Sequence, residues 1–141
     1  MKVLVDTSVW SLALRRRPAD LSAEERRLAD QLADLIRDDR VVMIGPIRQE
    51  LLTGIRSSST LDQLKRRLRE YDDEPLVADD YESAAEIGNA CRAAGISGSS
   101  VDFLICAATG RRGLAIFTTD RDFLRYSKAI PLTLYQPSSE E

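Results

Sequence analysis

The sequence predicts an α/β fold with a central, mostly parallel sheet flanked by helices, and three observations predict it. Short unbroken apolar runs at Val3–Val5, Val41–Ile44 and Leu114–Thr118 have the character of strands covered on both faces. Stretches with helical periodicity separate these runs, and strands that alternate with helices make parallel sheets. Two of the runs end on an acid, at Asp6 and at Asp120, which is the carboxyl end of the strand where such sheets bind ligands.

The elements follow in order. After the first strand, Asp6 either belongs to a site or caps the short helix Val9–Leu14, which runs into Arg15–Arg17 and is closed by Pro18. Ser22 and Glu25 form a capping box for a second helix, whose apolar stripe is Leu28, Leu32, Leu35 and Ile36. Asp38-Asp39-Arg40 ends it before the second strand, and Gly45-Pro46 then turns the chain into a third helix with Ile47, Leu51, Leu52 and Ile55 inside. Glu50 borders the buried face of that helix; a lone helical glutamate is as often solvated as functional. Leu61, Leu64 and Leu68 mark a very basic fourth helix reaching Tyr71. Leu76-Val77 reads as a short strand, and Asp79 or Asp80 as the cap of a fifth helix ending at Gly95. Val101–Ala108 is apolar almost all round, as a central helix is, except for Asp102. An acid in the first turn complements the helix dipole, but Ser99 and Ser100 already offer caps, so Asp102 points to a site. Asp120 either joins that site or caps a last short helix through Asp122, Phe123, Leu124 and Tyr126. Ile130–Tyr135 reads as a final edge strand because Pro131 interrupts it. A single domain over 1–135 and a polar tail over 136–141 complete the expected organisation.

Hydrophobic residues at 43% and charged residues at 30% are ordinary for a soluble globular protein, and the apolar runs are too short to span a bilayer. With no secretory apolar segment after Lys2, a cytoplasmic location without membrane attachment is expected. Cys91 and Cys106 lie in helical apolar patterns without metal-type spacing and read as core residues. The chain has no histidine, which excludes Ser/His triads, imidazole acid/base ribonuclease chemistry and imidazole-ligated catalytic zinc. Hydrolysis on such a chain has to run on carboxylates with a hard cation. If Asp6, Glu50, Asp102 and Asp120 converge at one sheet edge, their mutual repulsion asks for a cation, Mg²⁺ or Mn²⁺. The formal net charge of -3 hides basic clusters, Arg15–Arg17 among them, each of which by itself reads as a solvated helix face or helix end.

Four segments together carry a family resemblance: Val3–Ser8, Glu50–Gly54, Asp102–Ala108 and Thr118–Phe123. In order and approximate spacing the chain resembles the PIN-domain ribonucleases, specifically the VapC-like toxins of type II toxin–antitoxin systems. The resemblance implies a PIN-like three-layer fold and a metal-dependent endoribonuclease. Its site would be Asp6, Glu50, Asp102 and Asp120, with Mg²⁺ or Mn²⁺ as cofactor; Asp122 is either a further metal ligand or a helix cap, since the family's final motif varies there. It also implies an RNA substrate, for whose backbone Arg15–Arg17 and Arg121 are the candidates because they neighbour the motif loops, together with a VapB-like antitoxin and a homodimer. Cys106 replaces the alanine more usual in that helix, a packing change. A haloacid-dehalogenase-type phosphatase would need an acid where Ser8 stands, and a phosphoacceptor receiver would need a lysine where Thr119 and Asp120 stand. The reading from another class is a non-catalytic RNA- or protein-binding module on the same fold, which would be free to lose the acids that this chain keeps.

Overall fold

The computed structural model describes residues 1–137, so residues 138–141 of the expected tail lie outside the described residues. Its centre is β1 (Val3–Val5), which pairs in parallel with β2 (Val41–Val42) on one side and β3 (Ala115–Phe117) on the other. The register sets Val3 opposite Val41 and Ala115, Leu4 opposite Val42 and Ile116, and Val5 opposite Phe117. Every residue of β1 and β3 is buried, which is why neither shows a polar alternation.

Among the described residues seven helices flank this sheet: α1 (Thr7–Leu14), α2 (Ala23–Arg37), α3 (Gly45–Leu52), α4 (Ser58–Leu68), α5 (Ala78–Ala93), α6 (Ser100–Arg112) and α7 (Asp122–Tyr126). A 3-10 turn at Pro18–Asp20 leads into α2, whose capping box is formed as expected: Glu25 N donates to Ser22 Oγ and Ser22 N to Glu25 Oε1. The core joins Leu4 and Phe117 from the sheet to Trp10, Leu32, Leu35, Ile47, Leu51, Leu68, Ile105, Phe123 and Tyr126 from the helices. Each such side chain contributes about 1.5–3 kcal/mol by leaving water. Cys91 and Cys106 are buried free thiols, and the Cys106 thiol is pushed up to about 12 by its burial and the nearby Asp102 charge.

Helix α6 is the central helix that its apolar sequence demands, with Leu104–Thr109 buried throughout. Gly113 in the left-handed region (φ 67°) ends it and turns the chain into β3. Asp80 ties α5 to α6. It is fully buried, accepts from Val77 N at 2.8 Å, and meets Arg111 at 2.5 Å and Arg112 at 2.7 and 2.9 Å. Hydrogen bonds from Arg112 hold its carboxyl far below the ordinary carboxylate range, and those from Val77 N and Arg111 act in the same direction.

Five expectations are corrected. Leu76-Val77 forms no strand; Val77 is the N-cap of α5, and neither Asp79 nor Asp80 is the cap itself, Asp80 reaching back to it from inside the first turn. The second strand stops at Val42, because Met43 leaves the sheet to bridge Asp73. Ile130–Tyr135 is not a strand but a single parallel bridge of Leu134 to Ile116, since Pro131 offers no amide hydrogen. The third helix ends at Leu52, and Ile55 lies beyond Gly54, which takes φ 88°.

Candidate metal centre

Two strand ends and one helix start meet at one edge of the sheet. Asp6 leaves β1, and its amide still donates to Phe117 O of β3 at 2.9 Å. Asp120 lies three residues beyond Phe117, and Asp102 projects from the first turn of α6, whose N-cap Ser99 accepts from Asp102 N at 3.1 Å. Asp122 opens α7, whose N-cap is Arg121 and not Asp120 as expected; Asp120, one residue earlier, accepts the Asp122 amide through Oδ1 at 2.9 Å.

One oxygen from each of Asp102, Asp120 and Asp122 lies within 4.8 Å of the others. Asp6 and Glu50 fall outside that triad; Asp6 acts on it directly, and Glu50 is linked to the residue after Asp6. The charges of Asp6 and Asp120 both act on Asp102, whose carboxyl is raised above the ordinary range mainly by desolvation. The Tyr126 hydroxyl opposes that rise. Glu50 reaches the neighbourhood of Asp6 through Thr7, whose hydroxyl donates to Glu50 Oε1 at 2.6 Å.

The acids share a second feature, in that neutral groups hold them from one side. Asp6 Oδ2 accepts from Ser8 Oγ at 2.7 Å and from Thr118 Oγ1 at 2.8 Å. Asp102 Oδ2 accepts from the Tyr126 hydroxyl at 2.6 Å. Asp120 is held through Oδ1 and Glu50 through Oε1, while Asp6 Oδ1, Asp120 Oδ2 and Glu50 Oε2 accept no hydrogen bond among the described residues. Nor do Asp6, Glu50, Asp102 or Asp120 form an ion pair among them; only Asp122 does, with Arg125 at 3.4 Å. Carboxylates crowded together, oriented by hydroxyls and an amide, with a basic counterion on Asp122 alone among the described residues, suit a hard divalent cation, for which oxygen donors and an orienting outer layer are the usual surroundings. The residues present therefore fit Mg²⁺ or Mn²⁺ and do not suit a soft metal, which prefers thiolate.

Sequence reasoning found the acids and missed the groups that hold them. Ser8 and Thr118 adjoin Asp6 and β3 and were readable only as motif neighbours. Tyr126 carried no signal at all, because at its spacing it reads as a core aromatic.

No curated protein matches the chain. Among solved structures, the chain is similar to FitAcB from Neisseria gonorrhoeae, at 21% identity and TM-score 0.74, over 96% of this chain and 97% of that one. It is similar to FitAB bound to an IR36 DNA fragment at 20% identity and TM-score 0.72, over 99% and 97%. It is also similar to VapBC2 from Rickettsia felis, bound to a DNA fragment from their promoter, at 16% identity and TM-score 0.72, over 96% and 98%. At these identities the likeness is one of fold. The PIN domain family itself matches residues 3–129, a stretch that includes the whole sheet and all five acids, and the chain belongs to that family.

Proposed function

We propose that the chain is a metal-dependent endoribonuclease that hydrolyses RNA phosphodiester bonds and acts as the toxin of a VapBC-like toxin–antitoxin pair. The observation that supports this best is the carboxylate cluster. Three acid oxygens lie within 4.8 Å, the Asp6 charge acts on one of them, and hydroxyls rather than lysine or arginine hold Asp6, Glu50 and Asp102.

In this reading Asp6, Asp102 and Asp120 hold Mg²⁺ or Mn²⁺, with Asp122 as an added ligand. Glu50, fixed by Thr7, holds a second ion or orients the attacking water. The cation, when bound, makes water easier to deprotonate and stabilises charge on the attacked phosphate. Thr118 and Ser8 keep Asp6 from turning away, and the Asp120 carboxylate is held to the start of α7 by the Asp122 amide. The RNA backbone needs cations outside this acidic centre. Arg16 pairs with Glu25 and Arg17 with Asp20, whereas Arg15 and Arg121 form no ion pair among the described residues, so Arg15 and Arg121 are the better candidates. Residues 1–135 are the nuclease unit in this proposal, and a cytoplasmic location, a VapB-like antitoxin and a homodimer complete it. The similarity to the FitAB and VapBC2 structures supports the partner assignment.

The test is the chemistry of the product ends. Purified protein is incubated with RNA and Mn²⁺, and 5′-phosphate with 3′-hydroxyl ends are expected from direct attack by water. Ends bearing 2′,3′-cyclic phosphate would mean that the ribose hydroxyl attacks, and would overturn this mechanism.

A further inference from the structure

Tyr126 is the last residue of α7, 24 positions from Asp102 in sequence, and is fully buried. A buried phenol needs a partner for its hydroxyl, and here the partner is Asp102 Oδ2 at 2.6 Å. The ring has little freedom to place that hydroxyl elsewhere. Phe103 and Phe123 meet it edge-on with centroids 5.4 and 5.3 Å away. The loop before α6 covers it: a Cβ at Gly98 would lie 2.5 Å from the Tyr126 hydroxyl and 2.8 Å from the Phe103 ring, so only glycine lets the chain pass so close. Arg125 pins the same loop by donating to Ser97 O at 2.7 Å, with its guanidinium 6.0 Å from the Tyr126 ring centre.

We infer that Tyr126 is a positioning residue for Asp102: its hydroxyl fixes one carboxylate oxygen, under the cover of Gly98, so that the side chain keeps a single orientation toward Asp120 and Asp122. This rests on reading the acidic cluster as a cation site. The Ser99 hydroxyl also favours the ionised Asp102 carboxylate, but Ser99 lies in the exposed loop and accepts from the Asp102 amide, whereas Tyr126 is fully buried and held by Phe103 and Phe123. A phenol suits this place because it donates to the carboxylate without neutralising it, as a lysine or arginine would.

The test is Mn²⁺ affinity, read by the electron paramagnetic resonance of free Mn²⁺, together with melting temperature, for the full chain and three variants. Tyr126→Phe keeps the ring and removes the hydroxyl; Gly98→Ala keeps the hydroxyl and displaces it; Leu32→Ala, in the core contributed by α2, controls for destabilisation alone. Loss of an outer-shell partner typically costs about 10–100-fold in metal affinity. Tyr126→Phe and Gly98→Ala should each weaken Mn²⁺ binding by at least about tenfold. Leu32→Ala should melt lower and bind as the unaltered chain does. Unchanged affinity in folded Tyr126→Phe, or equal weakening in Leu32→Ala, would overturn the inference while leaving the cation site intact. An unaltered chain that binds no Mn²⁺ would overturn the cation site on which the inference rests.

Discussion

Replacing Asp102 by asparagine should stabilise the cation-free protein and abolish its response to a cation. In the structure the Asp102 carboxylate is half-buried, with one oxygen within 4.8 Å of oxygens of both Asp120 and Asp122, and with the charge of Asp6 also acting on it. Two like charges 4.8 Å apart repel by about 1 kcal/mol at the dielectric constant of water and by about 3.5 kcal/mol at an effective value near 20. Asp120 is exposed, so the lower figure applies, and the two pairs together cost about 2 kcal/mol. Asparagine removes that repulsion but weakens the bond from Tyr126, since a hydrogen bond to a charged group is worth roughly 1 kcal/mol more than a neutral one. The net gain is about 1 kcal/mol, or roughly 3 °C in melting temperature for a chain of this size. With a cation the order reverses. At about 100 times its dissociation constant, Mn²⁺ adds about 2.7 kcal/mol to the unaltered protein. The variant, lacking one of the proposed ligands, should gain little. The assay is thermal unfolding in EDTA and in Mn²⁺, and the two proteins should exchange places. The pH dependence has a definite sign. A carboxyl raised by folding adds stability below its unfolded pKa and loses it as pH rises through the folded one, so in EDTA the advantage of Asp102→Asn should shrink as pH falls from 7 toward 4. A variant that melts below the unaltered protein in EDTA would refute the claim that the carboxylates strain the empty cluster.

Asp80→Ala should be among the most destabilising single changes, because it removes the buried α5 carboxylate that Arg111 and Arg112 at the end of α6 pair with. Removing one partner of a buried pair costs about 3–5 kcal/mol, and partial exposure of Arg111 and Arg112 places this at the lower end, about a 10 °C fall in melting temperature. Asp80 is shifted downward, so its contribution is full above its unfolded pKa and is lost only as pH falls through the lower folded value; the stability difference should hold from pH 7 to 5 and disappear in stronger acid. Thr118→Val keeps shape and removes a hydroxyl from Asp6, and should lower cleavage about 10–100-fold in kinetic assays while changing the melting temperature little. Arg15→Glu and Arg121→Glu should weaken RNA binding to a cleavage-dead Asp6→Asn chain and flatten its salt dependence by about one phosphate contact each, as fluorescence anisotropy would show; unchanged binding would remove them from the RNA path.

How far the sequence carries to the fold varies with the kind of force involved. The strands β1 and β3 and the helix α6 were legible because burial on all sides leaves a continuous apolar run that nothing else explains. The region after β3 was not, because Ile130–Tyr135 has a strand-like composition but only Leu134 finds a partner. Asp80 looked like a helix cap because its real partners, Arg111 and Arg112, are 31 and 32 residues away, and local pattern does not encode such a pairing. The site divides in the same way. Asp6, Asp102 and Asp120 stood out because each is an acid at the edge of an apolar segment. Glu50 looked like any helical glutamate, and its link to Thr7 spans 43 residues. The hydroxyls of Thr118 and Tyr126 were invisible for a related reason: a polar atom on a mostly apolar side chain declares its role only once its partner is in place.

The central claim is that these acids cut RNA with a divalent cation, and one measurement tests it most directly. A cellular RNA pool is incubated with the purified protein in Mn²⁺ and in EDTA, alongside folded Asp6→Asn, Asp102→Asn and Asp120→Asn variants. Cleavage in Mn²⁺ that disappears in EDTA and in all three variants is the predicted result. Cleavage that persists in EDTA or in any of the variants would contradict it.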